Sequence, residues 1–214
     1  MDLRELNFKL TKERLQKETS RDILIIQTNH TLNEIKKAIN SLLGNLRERY
    51  GYYAARASRI EDREKFLEVV NKKIREDIGL ELNQKDLESI TDLAKQIKNL
   101  IELENSQKVY LEELTKELCP NLYKIATPMI AAGLIDHAGS LKHLAEIPSS
   151  TIQVLGAEKA LFRHLKSGAK APKFGVIFSH PKINEALPEN KGKAARHLSN
   201  EISKAAKIDF FRHK

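Results

Sequence analysis

The sequence predicts an all-α protein, a long antiparallel coiled-coil hairpin followed by a compact helical domain. Two hydrophobic repeats and one break carry that prediction. Leu32, Ile35, Ile39, Leu42 and Leu46 follow one another at spacings of 3, 4, 3 and 4, which is the a/d seam of a packed helix pair. A second seam, Leu87, Ile90, Ala94, Ile97 and Ile101, keeps nearly the same period. Pro120 then interrupts the pattern, and a proline cannot continue a helix from within.

Residues 1–18 read as a lead-in helix. Thr19 followed by Asp22 is a capping-box-like start for the first arm,. From Ser20 to Tyr50 that arm would measure about 46 Å at 1.5 Å per residue. The segment "GYYAARASRI" breaks the periodicity and reads as the turn at one end. A short helix with Phe66, Val70 and Ile74 follows and is expected to stop near Gly79. Asn83 is a suitable N-cap for the second arm, which runs towards Leu118,. Residues 19–118 therefore form the hairpin, with a helical tip. Their outer faces are highly charged, so the seams are expected to serve a protruding coiled coil that self-associates.

Beyond Pro120 the stretch "NLYKIATPMIAAGLIDHAGSL" is rich in small residues and holds Pro128, Gly133 and Gly139. It fits short, tightly packed helices in a domain spanning 119–214. "IPSST" marks a break.

Charge is divided as sharply as periodicity. Residues 1–118 hold 22 Lys+Arg against 22 Asp+Glu, so the whole excess of +8 lies in 119–214. A balanced half fits solvated helix faces, and a basic half points to a polyanionic partner. The densest part is "GAEKALFRHLKSGAKAPKFGVIF", residues 156–178, where Lys159, Arg163, Lys166, Lys170 and Lys173 face only Glu158. With Lys159 at zero and about 100° per residue, Arg163 falls near +40° and Lys166 near −20°; Ala157, Leu161 and Leu165 fall on the other side. Gly168 should end the helix, leaving Lys170 and Lys173 on a loop stiffened by Pro172. "FGVIF" is then expected to be buried, as strand or helix. Like charges at i,i+3 and i,i+4 repel by a few tenths of a kcal/mol per pair, and phosphate would offset that repulsion. The closing helix adds Lys193 and Arg196 near its start, where cations do not complement the helix dipole.

Several function classes lose support. One cysteine, Cys119, allows no internal disulfide and fits a reducing compartment,. No apolar run approaches the roughly 18 residues of a membrane span, and no signal peptide precedes the charged start, so a soluble intracellular protein without membrane contact is expected. The phosphate-cradling and nucleophile-elbow motifs of nucleotide-binding and hydrolytic enzymes are missing. The seven histidines make no metal pattern,. His164 and His180 are read as packing, capping or nucleic-acid contacts rather than as ligands or bases. No enzyme activity, cofactor or metal is expected.

"GAEKALFRHLKSGAKAPKFGVIFSHP" followed by "KGKAARHLSNEISKAAKIDFF" closely resembles the Nop domain. With "SRDILIIQ" and the coiled coil in front, the order resembles the core proteins of archaeal box C/D ribonucleoproteins. The resemblance covers about residues 19–212 and extends to nucleolar box C/D proteins and a spliceosomal tri-snRNP protein. It implies recognition of a kink-turn RNA already bound by a small ribosomal-type protein, and a coiled coil that makes a homodimer. Fibrillarin, which methylates ribose 2′-hydroxyls on target RNA, is implied as a partner only where a further N-terminal domain exists. Lys159, Arg163, Lys166, Lys170 and Lys173 stand where the family meets RNA; Lys193 and Arg196 follow with less motif support. The dimer seam would comprise Leu32, Ile35, Ile39, Leu42, Leu46, Leu87, Ile90, Ile97 and Ile101.

The chain departs from the family in two places. Only residues 1–18 precede its coiled coil, and "GYYAARASRI" lacks the acidic, proline-containing turn of the family. No Lys-rich tail of the eukaryotic nucleolar kind is present, which favours an archaeal-type, cytoplasmic protein over a nucleolar or nuclear one. Two alternatives remain open: a coiled-coil interaction scaffold whose basic face is merely solvated, and a short spliceosomal-type relative without fibrillarin recruitment.

Overall fold

The computed structural model describes residues 2–18, 21–76 and 79–212. Its helices are α1 (Leu3–Glu18), α2 (Asp22–Gly51), α3 (Arg63–Asn71), α4 (Gln84–Leu118), α5 (Pro120–Ala126), α6 (Pro128–Ala138), α7 (Leu141–Glu146), α8 (Ser149–Val154), α9 (Glu158–Ser167), α10 (Pro181–Asn184) and α11 (Lys191–Arg212). Two 3₁₀ turns, Ala57–Arg59 and Val176–Ser179, complete the order. Among the described residues there is no strand, as expected for an all-α chain. Thr19 and Ser20, read as the start of the first arm, lie outside the described residues. Packing divides the chain into one unit of residues 1–29 and 110–214 and another of residues 30–109. These units cut across the sequence-derived segments, because α2 and α4 each give residues to both.

In the unit of residues 30–109 the seams face each other. Ile35, Ile39, Leu43, Leu46 and Tyr50 of α2 share one core with Ile90, Ala94, Ile97 and Ile101 of α4. Leu42, expected in the seam, is only half-buried and Leu43 takes its place; Leu87 is also half-buried. The cause is geometric: a straight helix turns in 3.6 residues and drifts against a strict 3.5 repeat. Full burial of a Leu or Ile side chain contributes about 1.5–3 kcal/mol. Leu32, Ile35, Ile39, Leu46, Ile90, Ile97 and Ile101 are all buried within a single chain. They hold the two arms of the hairpin to each other.

The tip is tied down by polar contacts. The Arg47 guanidinium donates to the carbonyls of Ser58 (2.9 Å), Glu61 (3.2 Å) and Ile60, and lies 4.6 Å over the Phe66 ring. The Glu76 carboxylate accepts the N–H groups of Arg56 (2.9 Å) and Ala57 (3.1 Å). Tyr50 donates to Ile74 O at 2.7 Å, and burial pushes its phenol up to about 12. Asn83 caps α4 as expected: its Oδ1 accepts Asp86 N at 2.9 Å while Asp86 Oδ2 accepts Asn83 N at 3.3 Å,. Helix α3 is shorter than expected. It stops at Asn71, where Lys73 adopts φ 53°, Lys73 N donates to Val70 O and Ile74 N donates to Val69 O. That is a Schellman stop, and it leaves Ile74 exposed at 46%.

In the other unit α11 is the central helix and packs against α5, α7 and α8. Leu122, Leu134, Ile135, Leu144, Ile152, Leu198 and Ile202 are fully buried there. Pro120 and Pro128 each occupy a helix's first turn, where a missing N–H costs nothing. The buried Asp22 carboxylate accepts Leu141 N at 2.7 Å, and Asn29 Nδ2 donates to Asp136 Oδ2 at 2.8 Å. "IPSST" is a break only at Ile147 and Pro148, because α8 begins at Ser149.

Candidate nucleic-acid interface

Helix α9 is short, amphipathic and unburied. No residue between Glu158 and Ser167 is buried. Lys159, Arg163 and Lys166 sit on its cationic face and point to solvent. The face opposite the cations was expected to pack, yet Leu161 is 37% exposed and Leu165 76%; Phe162, near −60° at the edge of the cationic face, is 66% exposed,. An isolated helix of this length is marginal in water, so its two ends must be held.

The N-terminal end is held by the turn at Gly156. Gly156 adopts φ +91°, and a Cβ there would lie 2.5 Å from Val176 Cγ2. Its N–H donates to Glu158 Oε1 at 2.6 Å, and the same oxygen lies 3.4 Å from His137 Nδ1. Partial burial raises the Glu158 carboxyl, but the N–H groups of Glu158 and Gly156 and the neighbouring His137 outweigh it, so its pKa falls below the usual value. The one acid among the cations is thus occupied by the turn and neutralises none of them.

The other end is held by Gly168 and the loop beyond it. Gly168 closes the helix in the left-handed conformation, its N–H on His164 O at 2.9 Å,. The His164 ring bonds to Ala169 O. Gln153 Nε2 donates to Lys173 O at 3.0 Å, Gly175 N to Gln153 O at 2.9 Å and Val176 N to Leu155 O at 2.7 Å. The loop therefore lies along the end of α8. Gly175 is required, since a Cβ would meet Leu155 O at 1.8 Å. Lys170 and Lys173 remain exposed on this pinned loop. The last three residues of "FGVIF" enter the 3₁₀ turn Val176–Ser179, and of the five only Ile177 is buried; Phe178 is 47% exposed. The strand-or-helix burial expected for the stretch fails because its backbone bonds are spent on α8.

Lys193 and Arg196 are exposed in the first turns of α11. The loop and this helix meet through aromatic rings. Phe174 stacks on Phe178 with centroids 5.5 Å apart, and Lys191 Nζ lies 5.5 Å from the Phe178 centroid. None of the seven expected RNA-binding cations pairs with a carboxylate among the described residues. His180 is buried and structural: its Nε2 lies 2.9 Å from Ile125 O and its Nδ1 accepts Lys182 N at 3.2 Å, capping α10. Both ring nitrogens are spent. Cys119 is buried too, and burial pushes its thiol up to about 12, which makes it a poor nucleophile. Among the described residues no helix is long and apolar enough to cross a membrane, and no group of three His, Cys, Asp or Glu could hold a metal ion.

A profile of the Nop family, described as "snoRNA binding domain, fibrillarin", matches residues 53–214. The chain belongs to the Nop family. An uncharacterised NOP5 family protein of Methanocaldococcus jannaschii is 35% identical over 96% of this chain and 56% of its own length. Nucleolar protein 56 of Caenorhabditis elegans is 33% identical over 89% of the chain and 46% of its length; the human protein is 34% identical over 89% and 37%. The chain thus spans about half the length of the curated relatives it matches. A crystal structure of a fibrillarin/Nop5p complex contains a chain with a TM-score of 0.61 and 27% identity, covering 99% of this chain and 70% of that one. The residues that build the α9 platform all lie inside the matched Nop region. Sequence reasoning found its cations but not its open apolar strip, Leu161, Phe162 and Leu165, nor the role of Glu158. Helical spacing sets Leu161 and Leu165 opposite the cations, as a face that packs, and spacing alone does not say whether anything packs there.

Proposed function

We propose that this Nop protein is a non-enzymatic RNA-binding assembly component of a box C/D-type 2′-O-methylation guide ribonucleoprotein. The observation that carries the proposal is α9, which offers a cationic face and an apolar face, both open and both held rigid at the helix ends. Lys159, Arg163, Lys166, Lys170 and Lys173 would meet RNA phosphates. Leu161, Phe162 and Leu165 would pack on a small ribosomal-type protein already bound to the kink-turn. Shape, not base reading, would give specificity, since the deep groove of A-form RNA excludes side chains. Fibrillarin would supply the methyl-transfer chemistry, reached through sequence that the longer relatives carry. The protein would lie in the nucleolus of a eukaryote or the cytoplasm of an archaeon.

The test titrates wild-type protein and a Lys159→Ala, Arg163→Ala, Lys173→Ala variant against a preformed complex of kink-turn RNA and its small protein, at two salt concentrations. Four or five phosphate contacts predict a log–log salt slope of roughly −3 to −4 for the wild type. The variant should bind more weakly and with a shallower slope. Equal affinity and slope would mean that the face is only solvated, and the protein would then be an interaction scaffold.

A further inference from the structure

The basic surface does not stop at Arg196. We propose that the outward face of α11 is a second track for nucleic-acid backbone, formed by Lys193, Arg196, Lys204 and Lys207, and that it extends the RNA footprint beyond α9. With Lys193 at zero and about 100° per residue, Arg196 lies near −60°, Asn200 near −20°, Lys204 near +20° and Lys207 near −40°. All five are exposed. The inward positions, Ala195, Leu198, Ile202, Ala205 and Ala206, are buried. The cations span about 21 Å along the axis at 1.5 Å per residue, the rise of about six nucleotides of one strand at 3.4 Å each.

The acids of α11 are withdrawn from this face. The helix has two, Glu201 and Asp209. Asp209 is fully buried, and its carboxylate accepts N–H groups of Asn121 and Leu122. Glu201 sits at the edge of the face, near +80°, with Lys182 Nζ at 3.2 Å and His197 Nδ1 at 3.6 Å. Lys193, Arg196, Lys204 and Lys207 thus have no carboxylate partner among the described residues. An ordinary solvated helix face alternates signs for i,i+4 support; this one pairs cations at 193 and 196 and again at 204 and 207.

Nucleic acid fits this face better than an acidic protein does. Between 193 and 207 the exposed side chains include no large apolar anchor of the kind that dominates protein interfaces; Ile208 and Phe211 are exposed only beyond the last cation of the track, at the end of the helix,. The track also continues the α9 surface, because Lys191 at its head covers Phe178, whose stacked partner Phe174 follows Lys173.

The proposal rests on the RNA reading of α9, and the experiment separates the two. A kink-turn RNA with its small protein is prepared at its minimal length and with either end lengthened by about ten base pairs. Wild type, a Lys204→Ala, Lys207→Ala variant and a Lys159→Ala, Arg163→Ala variant are titrated by fluorescence anisotropy at several salt concentrations. Helicity and melting are checked first; exposed Lys→Ala changes on a helix should leave both intact. For one of the lengthened RNAs the wild type should gain about tenfold in affinity over the minimal RNA, and the α11 variant should lose that gain, with a salt slope shallower by about 1.8. On the minimal RNA it should match the wild type. Equal affinity and equal slope of wild type and α11 variant on both lengthened RNAs would overturn the proposal. If the α9 variant keeps full affinity for the minimal RNA, the α9 reading fails, while a length-dependent loss in the α11 variant would still establish the track. An α11 variant that differs from wild type only in binding polyglutamate would reassign the face to an acidic protein and overturn the RNA assignment.

Discussion

The carboxylate of Asp209, in α11, accepts the backbone N–H of Leu122, in α5, at 2.8 Å across 87 positions of sequence. The other oxygen accepts Asn121 N at 3.1 Å and Asn121 Nδ2 at 2.6 Å. A fully buried acid thereby satisfies the start of a helix that has no side-chain cap of its own,. Asp209→Ala strands buried N–H donors. It should cost about 2–4 kcal/mol, read as a fall in the denaturant midpoint with unchanged slope. An unchanged midpoint would show that water replaces the carboxylate.

Glu104 sets a pH dependence in the unit of residues 30–109. Its side chain is 3% exposed, with Lys108 Nζ at 2.6 Å and Arg63 at 3.3 Å. Burial raises its pKa, but the hydrogen bonds and charges of Lys108 and Arg63 outweigh that and hold it below the usual 4.5. A carboxyl whose folded pKa is depressed stabilises the fold above its unfolded pKa and loses that contribution as pH falls through the folded value. Thermal melts of wild type should therefore lose stability on acidification below about pH 4.5. Glu104→Gln should be less stable at pH 7, by about 1–4 kcal/mol, and should flatten that part of the profile. A profile in Glu104→Gln as steep as in wild type would assign the acid sensitivity elsewhere.

Gly156 should be intolerant of a side chain, and part of the cost should be removable. Gly156→Ala forces an Ala methyl to φ +91° and to within 2.5 Å of Val176 Cγ2. We expect a loss of about 2–3 kcal/mol. Val176→Ala in the same chain removes the clashing methyl and should recover about 1 kcal/mol of the difference, since neighbouring sites couple. A double-mutant cycle with no coupling would mean that φ alone carries the strain.

The open strip on α9 predicts the opposite of a core residue. Phe162→Ser and Leu165→Ser should leave the melting temperature within experimental error, because surface changes away from packed features cost at most about 0.5 kcal/mol. Both should weaken association with the preformed RNA–protein complex about tenfold or more, as loss of an apolar anchor does. A drop of several degrees in melting temperature would place the strip in a core after all.

Exposed apolar side chains at the tip are candidates for self-association. Tyr52 is 66% exposed and Leu80 is 60% exposed, joined by the Leu80 N to Tyr52 O bond of 2.7 Å. Tyr52→Glu with Leu80→Glu should shift a dimer towards monomer in sedimentation at tens of micromolar, roughly. Ile39→Ala should instead lower stability by about 2–5 kcal/mol. A dimer that survives the first change would clear the tip of that role.

Much of the fold was legible because it is local. The seams, the Asn83 cap, the stop at Gly168 and the end of the second arm before Pro120 depend on neighbours within one or two helical turns. The misreadings share one cause: each needed knowledge of what packs where. Leu42 yielded to Leu43 because drift decides a register only against an opposing helix. Ile74 fell outside α3 because Lys73 enters the left-handed region, which lysine does not announce. The strip at Leu161 and Leu165 looked like core, and the same spacing serves an open partner surface equally well.

The sequence by itself determined an all-α chain, the two arms, the uneven charge and the five cations of residues 159–173, since periodicity and charge are properties of the residues in order. Only the tertiary structure decided that the seam closes on itself, that Glu158 is spent on the Gly156 turn, and that the Asp209 carboxylate is withdrawn into the core. Those outcomes rest on contacts between distant segments, where burial and hydrogen-bond geometry select one pairing among many that the order of residues allows.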